Sequence, residues 1–114
     1  MRFGYAVILW CMFATAASAH AFLQHAEPGA GASLKSAPKQ LVLNFSEALE
    51  PSFSGIDVTD SKGDSVEAAS IAVSGSSMRA ALKLLSPGQY RVKWHAVSLD
   101  SHRTEGQFTF TVQP

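Results

Sequence analysis

The feature that most limits the fold of this chain is a strict alternation of apolar and polar side chains at positions 90–96. Tyr90, Val92, Trp94 and Ala96 fall on one side and Arg91, Lys93 and His95 on the other, the period-two pattern of a strand with one buried face. The pattern recurs. Phe108, Phe110 and Val112 alternate with Thr109 and Thr111, Leu41, Leu43 and Phe45 with Val42 and Asn44, and Ile56 and Val58 with Asp57 and Thr59. Turn signals separate these runs: Pro28-Gly29, Asp60-Ser61-Lys62-Gly63-Asp64, Ser74-Gly75-Ser76-Ser77 and Ser86-Pro87-Gly88. An edge strand is expected over 21–27, and a further strand over 78–85 with Ala80, Leu82 and Leu84 on one face. No apolar stripe of helical period follows the first 19 residues. Short alternating strands between turns imply one all-β domain, an antiparallel sandwich with Greek-key connections. Positions 90–96 and 108–112 are expected to be neighbours, joined through 97–106.

The first 19 residues read differently. Arg2 is a short positive leader, positions 5–13 are an apolar run, and Ala17-Ser18-Ala19 supplies small residues where a signal peptidase reads. The run falls far short of the roughly 20 apolar residues needed to span a bilayer. The expected division is therefore a cleaved signal peptide at 1–19 and a mature domain at 20–114, exported and not inserted in the membrane. Cleavage before His20 changes that residue's chemistry. Its imidazole gains a neighbouring free amine, with an unperturbed pKa of about 8, placed to close a chelate ring on a metal ion.

Composition then excludes several functions. Without the leader the chain loses Arg2 and Cys11, leaving eight Lys plus Arg against nine Asp plus Glu, a formal charge of −1. Such a near-neutral domain has no basic stripe to attract nucleic acid or anionic lipid. Without cysteine there is no thiolate nucleophile, cysteine-ligated zinc or iron–sulfur cluster. Met78 is the one methionine left, too few soft sulfurs for a Cu(I) site within one chain. Any bound metal must be held by nitrogen and oxygen.

Such donors occur in Ser98-Leu99-Asp100-Ser101-His102. A carboxylate and an imidazole two positions apart can face one point, and beside His20 they would complete a set of amine, two imidazoles and a carboxylate. Those donors in a tetragonal layout suit Cu(II), which heads the divalent affinity order; zinc accepts the same donors in a tetrahedral one. Spacing alone does not bring His20 to His102. The bland alternative is a solvated loop in which Asp100 caps a turn and His102 titrates in water.

A resemblance adds to this reading. His20-Ala21 at the mature start, the Glu27-Pro28 pair, Leu41-Val42-Leu43-Asn44-Phe45-Ser46-Glu47, and the tail signature resemble the CopC family of periplasmic copper resistance proteins. That signature is Tyr90-Arg91-Val92-x-Trp94, then Val97-Ser98-x-Asp100-x-His102, then Gly106-x-Phe108-x-Phe110. The resemblance implies a cupredoxin-like, immunoglobulin-like Greek-key sandwich of about seven strands. It implies one Cu(II) per chain, ligated by His20 through amine and imidazole and by Asp100 and His102, with Glu47 as a carboxylate supporting the ligating amine or a bound water. It further implies a role in copper homeostasis or resistance and a CopD-like inner-membrane protein as the partner that receives copper.

Two positions depart from the family pattern. Some members begin His-x-His, where this chain has Phe22, expected to pack at the core edge; others carry a methionine-rich segment where this chain has Met78 alone. The resemblance therefore points to a Cu(II)-only member. His25 on the edge strand and His95 opposite the Trp94 face are read as solvent-facing and half-exposed side chains, and Trp94 as a core aromatic. A rival of another class is a histidine-brace copper monooxygenase, which needs an open position for oxygen and a substrate platform; a third is a sandwich without metal that acts as an interaction module.

Overall fold

The alternating segments become strands of two sheets in the computed structural model, which describes residues 20–114. The proposed signal peptide lies outside the described residues. In chain order the strands are β1 (Leu23–Glu27), β2 (Ser33–Leu34), β3 (Gln40–Phe45), β4 (Gly55–Thr59), β5 (Ala72–Ser74), β6 (Ser77–Ala81), β7 (Gly88–Val97) and β8 (Arg103–Val112). One sheet has the order β1-β3-β6-β5, the other β2-β8-β7-β4. The chain passes between sheets repeatedly, as Greek-key connections require. Among the described residues there is no helix long and apolar enough to cross a membrane.

The expected faces hold where alternation was strongest. Leu41, Leu43, Phe45, Ile56, Val58, Tyr90, Val92, Ala96, Phe110 and Val112 are all buried between the sheets. Tyr90 opposes Phe110 and Val92 opposes Phe108 in the antiparallel β7–β8 ladder, and the Tyr90 and Phe110 rings stack with centroids 5.5 Å apart. Tyr90 keeps its polar end satisfied by donating its hydroxyl to the Ser86 carbonyl at 2.5 Å. Met78 is fully buried in the same core.

Three expectations change. The predicted strand 78–85 ends early: Leu84 is 96% exposed and Leu85 is buried in its place. After Ala81 the amides of Leu82 and Lys83 bond to the carbonyls of Lys39 and Val66, so alternation ends before Leu84. Half of the segment 97–106 is strand, because the connection between β7 and β8 spans only 98–102. Finally, one pair is parallel: Ser33 and Leu34 lie beside Thr111 and Val112 and cover the outer edge of β8, a common way of protecting an open strand.

Gly106 obscured the start of β8 in the sequence, since glycine weakens a strand reading. Its role is steric. A Cβ at Gly106 would stand 2.6 Å from Cζ2 of Trp94 and 2.9 Å from Cε2. The bare backbone thus lets the indole lie across the β7–β8 pair, where its ring meets Phe45 edge-on at 5.1 Å. Gly106→Ala is expected to destabilise the domain by about 1–3 kcal/mol through overpacking. Urea unfolding followed by Trp94 emission measures this, and an unchanged midpoint would show that the indole has room to move.

Candidate metal centre

Residues 20–22 reach the end of the sandwich where β7 turns into β8, and local hydrogen bonds hold them there. Ser46, immediately after β3, accepts the Phe22 amide at 2.8 Å through its hydroxyl and donates that hydroxyl to the His20 carbonyl at 3.4 Å. Its own amide bonds to the Phe22 carbonyl at 2.9 Å. From the other sheet, the Thr104 hydroxyl of β8 donates to the Ala21 carbonyl at 2.7 Å. Ala21 is fully buried. The flanking residues consequently project outward: His20 is exposed, and Phe22 is 53% exposed with its ring centroid 6.1 Å from that of His20. The expected packing of Phe22 into the core edge fails because Ala21 takes the inward position.

The turn at 98–102 is closed by its own backbone. Ser98 donates its amide to the His102 carbonyl at 3.0 Å and accepts the Ser101 amide at 2.9 Å. Ser101 takes the left-handed conformation, φ 73°. This compact turn carries His102 to His20. The His20 and His102 ring centroids lie 4.8 Å apart, tilted by 60°, so residues more than eighty positions apart in sequence meet at one end of the fold.

Asp100 faces His102 and the turn. Its Oδ2 lies 3.2 Å from His102 Nδ1, and its Oδ1 accepts the Ser98 hydroxyl. That hydroxyl, and after it His102, hold the Asp100 carboxyl below its ordinary range. With Nδ1 turned to a carboxylate, His102 has Nε2 to offer a metal, the usual arrangement of ligating histidines. A carboxylate has about four lone-pair directions, so two such contacts leave Asp100 able to hold an ion as well. Among the described residues, no three His, Cys, Asp or Glu side chains already surround one point. The structure thus assembles two imidazoles and a carboxylate engaged with one of them.

Other candidates lie apart from this pair. Glu47 is half-buried directly after Ser46, and no hydrogen bond or ion pair among the described residues joins it to His20 or His102. His25 faces Glu27 at 3.5 Å on the exposed side of β1. His95, half-buried on β7, lies over Gly55, where an added Cβ would come within 2.9 Å of its Cε1. Sequence reading missed Ser46 and Thr104 as holders of residues 20–22, and Ser98 as the partner of Asp100. Ser46 and Ser98 stood inside motifs already quoted; Thr104 was hidden in what looked like loop.

These features define a small Greek-key β-sandwich with a histidine pair and an acidic neighbour at one end. Comparison with known proteins places it further. The chain matches the CopC domain family over residues 23–113 and belongs to that family. It is 33% identical over 117 residues to Protein YobA of Escherichia coli K12, covering 99% of this chain and 94% of that one. It is similar to the crystal structure of CopC from Methylosinus trichosporium OB3b, with TM-score 0.77 and 33% identity over 83% of this chain and 95% of that one. It is also similar to PcoC, a methionine-rich copper resistance protein from Escherichia coli, with TM-score 0.71 and 37% identity over 82% of this chain and 99% of that one. None of these relatives bears an enzyme's name.

Thr104→Val keeps the shape of the side chain and removes the donor to a buried carbonyl. Leaving that acceptor unpaired is expected to cost about 1–3 kcal/mol and to speed exchange of the Phe22 amide. Denaturant unfolding and amide hydrogen exchange measure both; wild-type values for the two would mean that Ser46 alone fixes residues 20–22.

Proposed function

We propose that this protein is exported to the periplasm, loses residues 1–19, and binds one Cu(II) through the His20 amine and imidazole, Asp100 and His102. The observation that carries the reading is the meeting of the His20 and His102 rings at 4.8 Å, in a chain whose family includes copper resistance proteins. The fold brings the chain start and the β7–β8 turn together in advance, which lowers the ordering cost of gathering the ligands. His102 binds through Nε2, and Asp100 supplies negative charge and an oxygen donor. Glu47 accepts a hydrogen bond from the ligating amine or a bound water. Met78, the sole methionine past the leader, is fully buried, which supports a site of nitrogen and oxygen donors selective for Cu(II).

In this reading the protein sequesters copper and passes it to a CopD-like inner-membrane protein. No redox step is required of it. Its chemistry is capture and release, governed by protons: amine and imidazoles must be unprotonated to bind, so acid releases the ion. Asp100 is not the group that responds first. Its carboxyl lies below the usual range because of Ser98 and then His102, so it stays anionic above that range and yields its charge only as pH falls through the lowered value.

Cu(II) titration followed by electron paramagnetic resonance tests the assignment. A protein beginning at His20 should bind one equivalent, and one carrying an added residue before His20 should bind at least tenfold more weakly. Equal affinity in the two would remove the amine from the site. Affinity should fall as pH is lowered from about 7.5 to about 5, because nitrogen ligands must shed their protons to bind; a flat profile would count against the nitrogen ligands. His102→Ala should also bind much more weakly, and unchanged binding would favour a sandwich that acts without metal.

A further inference from the structure

We propose that Ser98 is a positioning residue of the metal centre, its hydroxyl fixing Asp100 so that His102 keeps its proton on Nδ1 and presents Nε2 towards His20. The proposal rests on the copper reading above for its function, and on the geometry of the turn for its substance.

Ser98 is the one fully buried polar side chain among the described residues, at 0% exposure. Its place in the strand pattern makes this unusual. It continues the inward series Tyr90, Val92, Trp94, Ala96 by one further step, a position where an apolar residue would extend the core at no polar cost. The hydroxyl there has a defined task. It donates to Oδ1 of Asp100, with the His102 carbonyl 3.3 Å away as a second, longer acceptor. With Oδ1 held, Oδ2 lies 3.2 Å from His102 Nδ1. The sequence of contacts is therefore hydroxyl to carboxylate to imidazole, ending on the ring that meets His20.

Asp100 and His102 are about half exposed, with side chains 47% and 52% accessible. Exposed side chains sample several rotamers, and water competes for both carboxylate oxygens. A buried hydroxyl is different: its backbone is tied to His102 and Ser101 and paired with Leu49 across an isolated bridge. It offers Asp100 a fixed anchor that water cannot displace. A carboxylate on the second nitrogen of a ligating histidine sets the tautomer and the ring orientation. Ser98 extends that arrangement one residue inward.

The test compares Ser98→Ala with Ser98→Thr, which keeps the hydroxyl. In the metal-free protein at about pH 8, where imidazole is neutral, nitrogen-15 NMR should find His102 in the Nδ1–H form in wild type and Ser98→Thr, and in a mixture of tautomers in Ser98→Ala. With Cu(II) as the probe, Ser98→Ala should lose about 10–100-fold in affinity and change its copper hyperfine splitting, while Ser98→Thr stays close to wild type. A folded Ser98→Ala with wild-type tautomer, affinity and hyperfine splitting overturns the proposal. So does a loss of affinity that Ser98→Thr, folded and retaining its hydroxyl, fails to restore. If Ser98→Ala does not fold, Ser98→Cys fills the position with only a weak donor and carries the same comparison. A wild-type protein that binds no Cu(II) sinks the copper reading, and the tautomer measurement then decides on Ser98 by itself.

Discussion

The structure at the end of the fold where His20 meets His102 depends on how one short peptide segment is held. Ala21 is buried between the sheets, its carbonyl bonded to Thr104 of one sheet while its neighbours bond to Ser46 at the edge of the other. Each bond is modest, about 1 kcal/mol net. Their effect is geometric. A residue at a free chain end normally frays and samples many positions; in the proposed mature form His20 would stand at such an end, and each binding event would have to order it. Here the residue after His20 is already fixed, so the imidazole starts next to its partner on the β7–β8 turn.

The same end of the molecule shows why a rigid sandwich suits this site. β7 and β8 pair over ten residues each, from Gly88 opposite Val112 to Val97 opposite Arg103, and they run straight into the 98–102 turn. Trp94 lies across Gly106 and against Phe45, packing the sheets together a short distance below. Movement of the turn relative to His20 would disturb this packing. The core therefore sets the spacing of the histidine pair.

Much of this was legible in the sequence, and the exceptions have physical causes. Faces such as Leu41, Leu43 and Phe45 could be read because burial on one side of a strand enforces period two. That His20, Asp100 and His102 come near one another could be anticipated because their chemistry is distinctive and the motif that holds Asp100 and His102 is longer than a bare pair; their role as ligands remains the proposal. Leu84 was misplaced because alternation carries no signal for where a ladder stops; backbone bonds from Leu82 and Lys83 to other segments decided that. Phe22 was misplaced because its neighbour Ala21, small enough to be clamped, took the inward position. Ser46, Ser98 and Thr104 carry hydroxyls whose partners lie across the fold or within a turn, and such partners follow from tertiary placement, which composition and spacing do not encode. Gly106 looked like a loop residue until the indole above it supplied the reason.

The central claim is that the two ends of the mature chain's site, His20 and His102, share one ion. A crystal structure of the protein beginning at His20, grown with one equivalent of Cu(II), tests it most directly. The account predicts a single copper bound by the His20 amine and imidazole and by His102 Nε2, with Asp100 adjoining it. Copper found at His25 and Glu27, at His95, or at His102 without His20 would contradict it.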